Sequence, residues 1–137
     1  MRILLVEDDP KQVDLLGKLL VKSIDGDKLA VYHAGTLEEG LEKSRELKLD
    51  VTYLDLNLPD APVEKVINSI KDFYPPVIVM TALDDPDQSL KLQCFAHGAQ
   101  NFFQKPTDLK LLVPHLISTG AAAHLRRDAP KLLDGRK

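Results

Sequence analysis

One cysteine, Cys94, stands in 137 residues, so no internal disulfide can form and a reducing, cytoplasmic setting is expected. No apolar run approaches the roughly 18 residues needed to cross a bilayer, which excludes a membrane-spanning helix. The N-terminal run Ile3-Leu4-Leu5-Val6 is too short for the core of a secretion signal and meets acid at once. Positive charge is short as well: 18 Lys and Arg against 21 Asp and Glu leave a formal charge of -3. Bulk electrostatics therefore offers no grip on a phosphate backbone, and no direct nucleic-acid contact is expected. Neither an internal repeat nor a low-complexity segment is present. What remains is one domain's length of chain, 44% hydrophobic and 28% charged, enough to bury a sizeable core.

Two kinds of segment alternate along it. Ile3–Val6, Leu29–Tyr32, Val51–Leu54, Val77–Met80 and Asn101–Phe103 are short, nearly continuous apolar runs, the pattern of parallel strands covered on both faces. Between them apolar residues recur at helical spacing. Val13, Leu16 and Leu20 share a face that Leu15 and Leu19 broaden; Leu37, Leu41 and Leu47 mark a second helix. Val63, Val66, Ile67 and Ile70 mark a third, and Gln88–Ala96, with Leu90, Leu92 and Phe95, a less regular fourth. Leu109, Leu112, Val113, Leu116 and Ile117 form the fifth. Pro10 suits a first helical turn, Thr36 with Glu39 reads as a cap, and Pro75-Pro76 stops the third helix before its strand. Thr107 and Asp108 signal the last helix start. The pattern predicts a doubly wound α/β fold with a five-stranded parallel sheet and five helices. Residues 1–119 form the domain; 120–137 read as a helix extension passing into a tail or a linker cut short, with Asp128-Ala129-Pro130 in the tail.

Such sheets carry their chemistry at the carboxyl ends of the strands. There the sequence places Glu7, Asp8 and Asp9; Asp55 with Asn57; Thr81; and Lys105. Carboxylates gathered in one small volume repel one another unless a cation or proton intervenes. Oxygen ligands in an open, partly hydrated site suit Mg2+. A carboxylate can also attack phosphorus to form an acyl phosphate, a reaction that needs positioning and charge neutralisation. Asp55, alone at its strand end, is the candidate nucleophile. Lys105 is its counter-ion, and Thr81 can hydrogen-bond a new phosphoryl oxygen.

The runs ILLVEDDP, YLDLNLPD, MTA and GAQNFFQKP, in that order, resemble the signature set of response-regulator receiver domains of two-component signalling. The resemblance spans about Met1 to Ile117. It implies a flavodoxin-like, chemotaxis-regulator-like sheet of order 2-1-3-4-5, with Asp55 phosphorylated in a Mg2+-dependent reaction by a histidine kinase or histidine phosphotransfer protein. It makes Asp8 a direct metal ligand, Glu7 a ligand largely through water, and the backbone carbonyl of Asn57 the completing ligand. Thr81 and Phe102 become the switch residues, Lys105 pairs with the phosphoryl group, and the Lys105-Pro106 bond is cis. Downstream partners would bind the surface of the fourth helix, fifth strand and fifth helix, through which family members also form homodimers. The implied protein is a signalling switch, not an enzyme with an outside substrate. Three acids stand in a row, so the pair also reads as Asp8 and Asp9; Glu7 and Asp8 are preferred because the family's pair directly follows the strand's last Val, here Val6. Val63 stands where a glycine is common, Phe102 where Tyr is frequent, and Asn101 where Asp is frequent. None of these removes a reacting group.

Plainer roles compete at each position. An acid before a helix is most often a cap, which suits Asp9. Asp84, Asp85 and Asp87 read as turn and cap residues, Phe103 as core, and Cys94 as a small apolar contact. His33, His97, His115 and His124 show no metal-ligand spacing. Two other functions remain. A Mg2+-dependent aspartyl-phosphate phosphatase, resembling the haloacid dehalogenase group, wants an acid where Asn57 stands. A pseudo-receiver acting only by contact would not need the intact set Asp8, Asp55, Thr81 and Lys105.

Overall fold

The computed structural model describes residues 1–105 and 109–134, with side chains described through residue 127. Among them, β1 (Arg2–Val6), β2 (Ala30–Ala34), β3 (Val51–Asp55), β4 (Val77–Thr81) and β5 (Asn101–Gln104) alternate with α1 (Pro10–Ser23), α2 (Leu37–Glu46), α3 (Val63–Asn68), α4 (Ser89–Ala96) and α5 (Leu109–Asp134). All strand pairs are parallel, in the order β2-β1-β3-β4-β5. The doubly wound α/β sheet is thus the one the alternation predicts. Pro106, with its expected cis bond, and the start signals Thr107 and Asp108 lie outside the described residues.

Successive strand side chains leave on opposite faces, and the core divides accordingly. Leu4, Val6, Leu54, Val77 and Val79 pack with α2, α3 and α4 residues such as Leu37, Val66, Ile67 and Cys94. Ile3, Leu5, Val51, Tyr53, Ile78 and Met80 pack with Leu16 and Leu20 of α1 and Leu112 and Leu116 of α5. Each such aliphatic side chain contributes about 1.5–3 kcal/mol by leaving water. The central strands β1, β3 and β4 are buried on both faces, whereas β2 and β5 lie at the sheet edges and keep partly exposed positions.

Local signals act as read. Asp9 caps α1 by accepting from the Lys11 amide (3.0 Å), and Thr36 caps α2 by accepting from Glu39 (3.1 Å). Asp85 accepts from Leu90 and Lys91, and Asp87 from Ser89, at the start of α4. Some boundaries move. Leu15 is 48% exposed rather than part of the buried face of α1. α3 ends at Asn68, well before Pro75, and Ile70 falls in a following 3-10 turn. The helix α5 runs unbroken past Gly120 to Asp134, so Asp128–Pro130 belong to it rather than to a tail.

Two glycines mark close approaches. A Cβ on Gly40 would sit 2.9 Å from a Val6 methyl carbon and 3.4 Å from the Phe73 ring; one on Gly120 would meet Met1 Sδ at 3.1 Å and Val51 at 3.2 Å. Beyond Gly120, α5 is pinned to the amino-terminal pole of the sheet by Asp50, the residue before β3. This buried carboxylate accepts from the Arg2 amide (2.8 Å) and Arg127 Nη2 (2.9 Å), with His124 Nδ1 at 3.1 Å. Burial alone would raise its pKa, but the Arg2 amide, His124 and the Arg127 charge together hold it below its ordinary range. A carboxyl so depressed stabilises fully above its unfolded value, about 3.9, and loses that contribution as pH falls through the lower folded value.

Gly40→Ala should destabilise by about 1–3 kcal/mol in urea unfolding, despite the better helix former, because the core on Val6 must shift. Gly17→Ala, facing open space in α1, should stabilise by up to about 1 kcal/mol in the same assay. Asp50→Asn should cost about 1–3 kcal/mol at pH 7 and flatten the loss of stability below about pH 4, as followed by circular dichroism.

Candidate functional site

At the carboxyl rim of the sheet the ends of β1, β3 and β4 and the residue after β5 meet. Pairing of β1 with β3 sets Val6 beside Leu54, so the next residues along each chain segment, Glu7 and Asp55, come together on the face of the sheet that carries α1 and α5. Glu7 is fully buried and Asp55 nearly so, while Asp8 is exposed. Each offers a carboxylate oxygen, and the three oxygens lie within 4.8 Å of one another. Lys105 Nζ reaches Asp55 Oδ2 at 3.2 Å and Glu7 Oε1 at 3.3 Å. Its backbone amide is tied to the Thr81 carbonyl at 2.7 Å, which fixes the segment after β5 against β4.

This crowding sets the electrostatics. Burial first, and then the neighbouring Asp55, push Glu7 up to about 8 against the opposing effect of Lys105. Glu7 thus keeps its proton at neutral pH when no other cation is present. Its contribution to stability is lost as pH rises from the ordinary carboxylate range toward 8, since only the unfolded chain ionises there. Burial works against the Lys105 ammonium, but Asp55 and Glu7 outweigh it and raise its pKa, so it stays charged. One Glu7 oxygen, Oε2, is buried without a hydrogen-bond partner. An orphaned buried carboxylate oxygen beside two more carboxylates is a donor set that fits a hard divalent cation such as Mg2+.

Asp55 Oδ1 accepts from the Asn57 amide at 2.9 Å, which turns the chain sharply after β3. The Asn57 side chain is exposed. Thr81 is fully buried, and its Oγ1 accepts from the Leu83 amide at 3.1 Å at the root of the β4–α4 loop. Phe102 is half-buried against the α2–α4 core, and Phe103 packs on the opposite face, its ring 5.3 Å from that of His115. Asp9 serves as the α1 cap and stands apart from the three-carboxylate group.

Three features escape sequence reasoning. Tyr53 is a buried phenol one pleat below Asp55, its pKa raised by burial first and then by the charges of Glu7 and Asp55. His33 Nε2 lies 2.8 Å from the Glu7 carbonyl. Asp60 reaches across to the start of α2. Each depends on depth or on a partner more than twenty residues away, and neither cause leaves a local signal.

Known proteins resemble the chain in sequence and fold. The sequence model described as the response regulator receiver domain matches residues 3–117. The protein-glutamate methylesterase/protein-glutamine glutaminase 2 of Methanosarcina mazei is 31% identical over 131 residues, covering 92% of this chain and 34% of that protein. The chain spans less than half of the curated relatives it matches. Among solved structures, the response regulator domain of Thermotoga maritima CheB superposes with a TM-score of 0.70 at 25% identity, covering 90% of this chain and 95% of that one. The beryllofluoride-activated NtrC4 receiver domain dimer gives 0.72 at 26% identity, covering 89% and 98%.

Saturating Mg2+ should raise the melting temperature, with a gain of about 2.7 kcal/mol at a hundredfold excess over Kd. Asp8→Asn, at an exposed position, should remove most of that shift while leaving the metal-free protein folded. No Mg2+ effect on the native chain would show that the cluster holds no cation.

Proposed function

The chain belongs to the response regulator receiver domain family, and from that premise we propose that it is a phosphorylation switch in which Asp55 takes a phosphoryl group from a phosphohistidine. The donor is a histidine kinase or a histidine phosphotransfer protein. One observation carries the reading: Asp55 stands at the end of β3 with Lys105 at 3.2 Å and the Glu7 and Asp8 carboxylates close by.

A carboxylate oxygen of Asp55 attacks phosphorus, the new P–O bond forming as the P–N bond to the donor imidazole breaks. Lys105 pairs with the transferred oxygens, and its Coulombic hold on Asp55 passes to the phosphoryl group. Asp8 and Asp55 directly, Glu7 through water and the Asn57 carbonyl would hold Mg2+, which supplies the positive charge that lets a dianionic group enter a carboxylate cluster. Thr81 keeps a hydroxyl proton to donate while accepting from Leu83, so it can turn toward a phosphoryl oxygen. That movement draws on the β4–α4 loop, and Phe102, half-buried, turns inward into the space released.

The readout is the α4–β5–α5 surface, where Leu92, Phe95 and Leu111 are exposed. Apolar side chains there suit a downstream protein partner or a second copy of the chain, and the NtrC4 receiver domain is a dimer. Beyond its own phosphorylation and dephosphorylation we assign no chemistry to the protein. The methylesterase activity named for the M. mazei relative belongs to a protein almost three times as long as the matched part. A phosphatase of the aspartyl-phosphate kind needs an acid/base where the neutral Asn57 stands. The setting is cytoplasmic, in keeping with a free, buried Cys94 and with no described helix long and apolar enough to cross a membrane. Residues 1–119 are the receiver unit, which the rest of α5, to Asp134, extends.

Incubation with a small phosphodonor and Mg2+ should add about 80 Da, one phosphate, and EDTA should prevent it. Asp55→Asn should show no adduct. Thr81→Ala should still gain the mass but lose the change in partner binding. No adduct on the native chain, or an equal one on Asp55→Asn, would overturn the proposal.

A further inference from the structure

The loop after Asp55 is tied to a distant helix. Its tip is a tight turn in which Leu58 and Ala61 form an antiparallel bridge around Pro59 and Asp60. The Asp60 carboxylate leaves that turn and accepts from the first two amides of α2, Leu37 to Oδ1 at 2.8 Å and Glu38 to Oδ2 at 3.1 Å. Helix-start amides have no partner within the helix. Here the next one, Glu39, is taken by Thr36 Oγ1 at 3.1 Å, and the fourth, Gly40, by the Thr36 carbonyl at 3.1 Å. Every amide of the first turn is therefore satisfied, and two of the four bonds come from a residue 22 or 23 positions away. A carboxylate at this end also meets the positive pole of the helix.

The other end of the same turn is the functional site. Asn57 begins the loop, and its amide is held by Asp55 Oδ1 at 2.9 Å. Pro59 stiffens the path between Asn57 and Asp60. The loop is thus fixed at its root by Asp55 and at its tip by α2, with a short, bridged turn between them. α2 in turn is seated on the core through Leu37, and at Gly40 it lies so close to Val6, the residue before Glu7, that a Cβ there would meet a Val6 methyl carbon.

We propose that Asp60 is a positioning residue for the site: by capping α2 it anchors the loop that presents the Asn57 carbonyl, and so sets where that oxygen stands relative to Asp55. The proposal rests on the reading of that carbonyl as a metal ligand. Thr36 provides the control, since its hydroxyl caps the same helix start through the Glu39 amide, a bond made within α2 and not to the loop. Both caps should matter to α2; only Asp60 should matter to the site.

The test compares Asp60→Ala, Asp60→Asn and Thr36→Ala by NMR, reading Mg2+ affinity by titration and hydrogen exchange at the Asn57, Leu58 and Ala61 amides. Asp60→Ala should weaken Mg2+ binding about tenfold, the lower range for partners that orient a metal's ligands, and speed exchange at all three amides. Asp60→Asn, which keeps one carbonyl oxygen as acceptor, should fall between. Thr36→Ala should lower the melting temperature yet match the native chain in both readouts. Unchanged loop exchange and Mg2+ affinity in Asp60→Ala, or equal effects in Asp60→Ala and Thr36→Ala, would overturn the proposal. Should the native chain bind no Mg2+, the metal reading falls, while loop exchange alone still decides whether Asp60 places the loop.

Discussion

Two carboxylates, Glu7 and Asp55, are buried side by side at the ends of neighbouring strands, with the Lys105 ammonium between them and solvent. Left ionised and alone, such a pair would repel by several kcal/mol. The fold relieves this in two ways, through the charge of Lys105 and through the proton that Glu7 retains. A carboxylate pocket that keeps a proton for want of a cation is ready to exchange it for one. The strand order makes this unavoidable: β1 and β3 are adjacent, so the residues at their carboxyl ends must meet.

The opposite pole of β3 offers a comparison. Asp50, just before the strand, is as deeply buried as Asp55 at its end, yet its two oxygens are taken by the Arg2 amide, Arg127 and His124. Charge and hydrogen bonding are in balance there, and the result is a clasp between α5 and the sheet. At the other end, Glu7 Oε2 has no partner. The sheet thus carries a closed carboxylate at its amino pole, before β3, and an open one at its carboxyl pole, after the neighbouring β1. Closure serves stability, and incompleteness leaves room for a ligand.

The layers between these poles explain why the proposed switch residues, Thr81 and Phe102, lie where they do. Alternation along β4 and β5 sends Val79 and Phe102 to the α2–α4 face and Met80 and Phe103 to the α1–α5 face. Thr81 shares the first of these faces by the same alternation, with the β4–α4 loop beginning at its hydroxyl. Asp55 lies on the α1–α5 face and Thr81 on the other, so a charge event at Asp55 would reach α4, where Leu92 and Phe95 are exposed, through Thr81 and the loop that begins at its hydroxyl.

Strand and helix alternation, the α/β class and the residues at strand ends were all legible in the sequence, because periodicity and the doubly wound rule are local and topological. The caps at Asp9 and Thr36 were legible for the same reason, each bonding to an amide two or three residues on. The exposure of Leu15 was not, since helical spacing marks a stripe but not its width. Nor was the reach of α5: Asp128-Ala129-Pro130 reads as a tail, and only the packing of Gly120 on Met1 and Val51, with Asp50 clasping Arg127, carries the helix onward. The sequence alone determined which groups would gather at the rim. Tertiary structure decided how deeply each was buried, that Glu7 rather than Asp9 stands with Asp55, and that Asp60 ties the site loop to α2. Burial and bonds across twenty or more residues are properties of the packed chain, and no local pattern encodes them.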